Sequence, residues 1–423
     1  MVEFLFVLIL LCLANSDDND TTTYPWLNGQ WHKYDATMKS QHSDFAAFFV
    51  NDVLFAIGGS SARNTSEYVD TSSKDPSFKS IKGMDFDFES SSGGSSIVYS
   101  DDMVFLGCDD VEGELRLYDF SNSSSPDMAM NISSMPVPVT SCCMRLYNDK
   151  IYVTGGQLKD WGIFKGQPLL QIYDIQNDEW SMGANMTLGR MFHGCEIMDD
   201  DATIYVFMGD TSDFGNETKT NEMYDIMTDK WMNIDAELDA GRHGFYARRL
   251  PETSWIILNG GYAWDPDDSL NFDGYQNIAV FDTETNQFLD DDTFPQLQCN
   301  QYERSVTIIQ EYDEMGVNGT VRARIWNIGG DWSYSSDSYG QSIYYMDYPC
   351  SEFDDCLDEQ PECDSLGEII RKLARAIIIG LIVGGVVICI VLFGICICCA
   401  QRKRRAAPDT QYQMFQDDTK FAV

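Results

Sequence analysis

Four histidines, His32, His42, His193 and His243, are the side chains best suited to proton transfer or metal ligation near neutral pH. No Ser/His/Asp or Cys/His arrangement accompanies them. His193 and His243 instead share a neighbourhood, Arg190-x-x-His193-Gly194 and Arg242-His243-Gly244. That recurrence marks them as repeat residues expected in a core. A second candidate is the acidic segment DPDDSLNFDG, Asp265 to Gly274, whose carboxylates suit a hard cation. Its order departs from an EF-hand loop: Leu270 stands where the turn glycine belongs, and Gln276 replaces the bidentate glutamate. It reads as a solvated acidic loop, with calcium as the alternative. Neither a catalytic site nor a metal or other cofactor is expected.

The elements that position these residues are strands. In KIYVTGG, Lys150 to Gly156, an apolar run ends at a glycine pair, and a second run ends at Tyr173-Asp174, seven residues before Trp180. This is the pattern of an antiparallel sheet, with glycines where the backbone must turn sharply or approach another strand. The pattern recurs. The glycine-pair position reads Gly58-Gly59, Gly107-Cys108, Gly155-Gly156, Met208-Gly209, Gly260-Gly261 and Gly329-Gly330. The Tyr-Asp position reads Tyr118-Asp119, Tyr173-Asp174, Tyr224-Asp225 and Phe281-Asp282, and Trp180, Trp231 and Phe288 follow the last three.

A period near 50 residues carrying these marks in order resembles the kelch repeat of β-propellers. The resemblance runs from about Trp26 to Tyr348 and implies an all-β, six-bladed kelch-type β-propeller, with a propeller domain over 24–349. Units 3 to 5 match best. The last unit has a Tyr345–Asp347 strand and no following Trp, whereas Trp31 precedes the first unit without a Tyr-Asp strand. The N-terminal segment is therefore expected to supply the outer strand of the last blade and remove an open edge. Some kelch propellers are copper oxidases with His and Tyr ligands, so a copper-dependent ectoenzyme is the alternative to a binding module.

Beyond the propeller, residues 1–16 read as a secretory signal peptide, with the apolar run Phe4 to Leu13 ahead of Ala14-Asn15-Ser16. Residues 350–375 form an acidic, cysteine-containing stalk, 376–400 a single transmembrane α-helix of 25 residues without a charge, and 401–423 a cytoplasmic tail. The implied topology is single-pass type I in the plasma or endosomal membrane, with an extracellular or lumenal ectodomain. A formal net charge of −39 makes nucleic acid and anionic membrane surfaces poor partners. Asn19, Asn64, Asn122, Asn131, Asn185, Asn216 and Asn318 open N-glycosylation sequons. Cys108, Cys142, Cys143, Cys195, Cys299, Cys350, Cys356 and Cys363 make an even lumenal set suited to disulfides, with connectivity left open.

Near the membrane, Ala376, Gly380 and Gly384 form a small-residue stripe that would permit a homodimer through the helix. Cys396, Cys398 and Cys399 are palmitoylation candidates beside the basic run 401–405. Tyr412-Gln413-Met414-Phe415 resembles the Tyr-x-x-bulky signal read by clathrin adaptors, with Tyr412 and Phe415 as its anchors. The ligand-binding face is expected where the second and third strands of each blade are joined. These connections are long and carry Trp264, Phe272, Tyr275, Trp332 and Tyr334, and those of blades 5 and 6 lack sequons. A protein or glycan ligand is expected there.

Overall fold

The computed structural model describes residues 31–349 apart from 43–44, 60–64, 83, 85–94, 109–114, 131, 159–164, 199–201, 213–216, 265–271, 275–276, 291–293, 295, 297–304, 313–320 and 330–340. The strands form six antiparallel sheets. Blade 1 comprises Ala46–Val50, Val53–Ile57, Ser66–Asp70 and Lys79–Ser80, and blade 2 Ser95–Val98, Met103–Gly107, Arg116–Asp119 and Asp127–Met130. Blade 3 comprises Cys143–Tyr147, Lys150–Thr154, Leu170–Asp174 and Glu179–Met182, and blade 4 Gly194–Met198, Thr203–Phe207, Asn221–Asp225 and Lys230–Ile234. Blade 5 comprises His243–Arg249, Trp255–Trp264, Ile278–Asp282 and Gln287–Phe288, with Phe272–Gly274 added beside its second strand.

Blade 6 closes the circle. Val306–Glu311, Val321–Ile328 and Ile343–Pro349 are completed by His32–Lys33, with His32 opposite Tyr345 and Lys33 opposite Tyr344. The first strands of the six blades contact one another in order, and blade 6 returns to blade 1. Both chain ends of the propeller thus lie in one sheet, which leaves no open edge between first and last blades.

The hydrophobic core is divided into six clusters, one at each blade-to-blade interface. Blades 6 and 1 meet through Trp326, Ile328 and Ile343 against Phe45, Ala47 and Leu54. Blades 3 and 4 meet through Tyr152 and Leu170 against Ile204 and Val206, and blades 4 and 5 through Tyr205 and Phe207 against Ile256 and Phe281. Residues 204 to 207 therefore alternate between two interfaces. A strand buried on both faces needs an unbroken apolar run rather than an apolar–polar alternation, which accounts for TIYVF in blade 4 and VLFAI in blade 1.

The glycine pair has a steric cause. Gly155 and Gly156 adopt φ of 62° and 92°. A Cβ at Gly155 would stand 2.5 Å from the Arg190 carbonyl oxygen, and one at Gly156 2.7 Å from that of Thr140. The Tyr and Trp marks have a bonding cause. Tyr173 donates to Asp178 and Tyr224 to Asp229, each at 2.8 Å. The indole N–H of Trp180 donates to the Ser133 carbonyl, and that of Trp231 to the Ala184 carbonyl. Each outer strand is thereby tied to the segment linking the preceding blade to its own.

Candidate ligand-binding face

Successive turns of a four-stranded meander alternate between the two faces of the ring. The connections between second and third strands and those between blades therefore share one face. On it the second strand of blade 5 does not stop at its glycine pair. It runs on to Trp264, and Tyr262, Ala263 and Trp264 pair with Gly274, Asp273 and Phe272. The stretch from Tyr262 to Asn277, read from sequence as a loop, thus contains a hairpin. Its outermost described pair places Trp264 opposite Phe272. Tyr275, Trp332, Tyr334 and the acidic stretch 265–271 lie outside the described residues, as do the segments 1–30 and 350–423. Among the described residues no helix is long and apolar enough to cross a membrane. Of the sequons, the asparagines of Asn122 and Asn185 are described, and both are exposed.

The axis of the ring holds a second, internal feature. A cavity of about 60 Å³ is lined by residues from the first strands of all six blades, Ala47, Ser96, Arg145, Cys195, Arg248 and Val306 among them. Arg145 donates from Nε to Glu196 Oε1 at 3.0 Å and from Nη2 to the Ala247 carbonyl at 3.0 Å. Arg248 donates to that same carbonyl at 2.9 Å and lies over the Tyr246 ring. Burial, reinforced by Arg145, pulls the Arg248 guanidinium down to about 10. The three charged residues occupy one repeat position. Each stands two residues beyond the partner of the residue preceding the glycine pair, the partnered pairs being Cys143–Thr154, Gly194–Phe207 and Tyr246–Asn259. Aligning the units on their glycines would have found this plus–minus–plus series. Taken residue by residue, the sequence hides it.

Disulfides staple the same inner ring. Cys108 bonds Cys142 across blades 2 and 3, and Cys143 bonds Cys195 across blades 3 and 4. Cys299, Cys350, Cys356 and Cys363 lie outside the described residues.

The histidines are dispersed. His32 is exposed on the outer strand of blade 6. The other three are buried. His42 Nδ1 donates to the Gly58 carbonyl at 2.7 Å and its Nε2 meets Glu67 Oε1 at 2.9 Å. His193 Nε2 and Thr154 Oγ1 share a hydrogen bond of 2.9 Å, and burial, then Arg190 and Arg145, pushes the imidazole down to about 3. His243 faces two carboxylates, Asp210 and Glu217. The one described group of three histidine, cysteine or carboxylate side chains placed to hold a metal ion combines one histidine with two carboxylates.

No family model matches the chain. A segment of 89 residues is 35% identical to Kelch-like protein 25 of Xenopus tropicalis, covering 19% of this chain and 14% of that protein. Over 109 residues it is 30% identical to human Kelch-like protein 25, covering 24% and 18%. Over 94 residues it is 30% identical to the F-box/kelch-repeat protein SKIP20 of Arabidopsis thaliana, covering 22% of each. The matches thus span about a fifth or less of these relatives' lengths. The solved structure of YjhT superposes with a TM-score of 0.52 at 15% identity, over 73% of this chain and 95% of that one, which bears on fold alone. The repeat marks, the closed ring of six four-stranded blades and these short matches agree, and the chain is a six-bladed β-propeller built of kelch-like repeats.

Proposed function

We propose that this chain is a single-pass type I membrane glycoprotein of the cell surface or endosome whose propeller binds a protein ligand, glycan being the second ligand class. The observation that carries the binding assignment is the blade-5 hairpin, which lifts Trp264 and Phe272 in register beyond the glycine pair. A rigid closed ring supplies the scaffold, and aromatic anchors on its longest connections are what protein interfaces use most. Export is supported by the signal-like run at 4–13, the exposed sequons at Asn122 and Asn185 and two disulfides on the inner ring. The uncharged stretch 376–400 is the membrane anchor in this reading, and Tyr412–Phe415 the route to a clathrin adaptor. The ligand site extends over Trp264, Phe272, Tyr275, Trp332 and Tyr334.

The test compares purified wild-type chain with Trp264→Ala and Trp332→Ala in capture from the surface and secreted proteins of its own source. Partners held by the wild type should fall at least about ten-fold in both variants, a loss near 1.4 kcal/mol, with melting temperatures unchanged. An identical captured set from all three proteins would reject this face. Capture lost together with thermal stability would show that the two rings pack their own loops.

A further inference from the structure

Where blade 4 meets the inner strand of blade 5, three ligating groups converge. Asp210 follows the glycine position of blade 4, Glu217 lies across from it on the returning chain, and His243 opens the first strand of blade 5. His243 Nδ1 stands 3.3 Å from Asp210 Oδ1 and 3.3 Å from Glu217 Oε1, and the three atoms lie within 4.8 Å of one another. Zinc bonds of about 2.0–2.2 Å to nitrogen and oxygen, opened to a tetrahedral angle, separate neighbouring ligand atoms by roughly 3.3–3.5 Å. Both measured edges fit that figure.

The second observation is Asp210 itself. The residue is 0% exposed, and neither carboxylate oxygen receives a hydrogen bond. A buried carboxylate is ordinarily hydrogen-bonded, and the one pairing Asp210 has is with His243, inside the cluster itself. Its backbone is fixed, exchanging hydrogen bonds with Met191 at 2.8 and 2.9 Å, so the carboxylate is held beside Glu217 instead of turning to water. The imidazole is also held, edge-on to Tyr262 at 3.9 Å between centroids.

We infer that Asp210, Glu217 and His243 form a divalent-cation site matched to zinc, which pins the connection after the second strand of blade 4 to the inner strand of blade 5. One imidazole and two carboxylates suit a borderline divalent ion, and their two negative charges balance its two positive ones. Three protein ligands leave a fourth position for water or a ligand group. The ion would lie on the same face as the blade-5 hairpin, whose inner residue Tyr262 pairs with His243.

The full chain, purified without a histidine tag, stripped by chelator and dialysed, is titrated with zinc alone while bound metal and thermal unfolding are measured. Wild type should bind one more ion per chain than Glu217→Gln or His243→Gln, and zinc should raise its melting temperature by several degrees. Glu217→Gln should weaken that ion at least ten-fold while retaining the native circular dichroism of the stripped protein. Manganese should compete weakly. Equal metal content in wild type and Glu217→Gln would overturn the site. So would a wild-type melting temperature indifferent to zinc together with a more stable Glu217→Gln, because the cluster would then be a strained pair of acids. If His243→Gln fails to fold, Asp210→Asn gives the same reading, since it removes a ligand charge without changing side-chain shape.

Discussion

His193 shows how a single buried group sets a pH dependence. Its imidazole is neutral in the folded chain, held down to about 3, whereas an unfolded histidine titrates near 6.5. Between those values the unfolded chain carries a proton that the folded chain does not, so stability rises with pH across this window and is lost as pH falls. The loss reaches at most about 1.4 kcal/mol per pH unit from this one group. Asp178 acts in the same direction, since hydrogen bonds from Ser133 and Tyr173 hold its carboxyl below the usual range and that contribution also fades in acid. In denaturant unfolding at pH 7 and pH 5, acidification should therefore cost the wild type more stability than it costs His193→Gln, the comparison cancelling groups such as Asp210 whose raised carboxyl acts in the opposite direction. Equal pH dependence in the variant would mean that His193 ionises in the folded chain. At this scale the sequence is only partly legible. It shows that His193 and His243 belong to a repeat, but the repeat does not choose their partners: His193 meets a threonine and His243 two carboxylates.

At the scale of elements, the repeat is legible because each mark has a local steric or bonding cause. Glycine pairs recur where φ is positive and a neighbouring carbonyl crowds the chain, and tryptophans recur where an indole N–H reaches back to the preceding linker. Trp231→Phe keeps the ring against Tyr224, whose centroid is 5.0 Å away, but leaves the Ala184 carbonyl without its donor. It should cost about 1 kcal/mol in chemical unfolding. Trp231→Ala, which also removes the packed ring, should cost about 3 kcal/mol or more. Equal effects of the two substitutions would assign the tryptophan to hydrogen bonding alone. Two features at this scale are not legible. The blade-5 hairpin hides because Asp265 to Gly274 read as acidic loop, and nothing local in YAW announces that a strand continues past Gly261. The Arg145, Glu196 and Arg248 series hides because its logic is the ring, in which neighbours lie some 50 residues apart.

For the whole molecule, the six-blade count and the closure by residues 32 and 33 follow from counting glycine positions and noticing which unit lacks its last strand. Cysteine pairing does not follow, since eight cysteines permit about 105 pairings and only the ring brings Cys142 and Cys143 between Cys108 and Cys195. That placement gives the most direct test of the central claim, an exported kelch propeller. A non-reduced peptide map of the chain isolated from its own source examines fold and compartment together. The peptide holding Cys142 and Cys143 should be linked to those of Cys108 and Cys195, and Asn122 and Asn185 should carry glycans. Free thiols at all four cysteines with unmodified Asn122 and Asn185 would place the propeller in a reducing compartment and contradict the account.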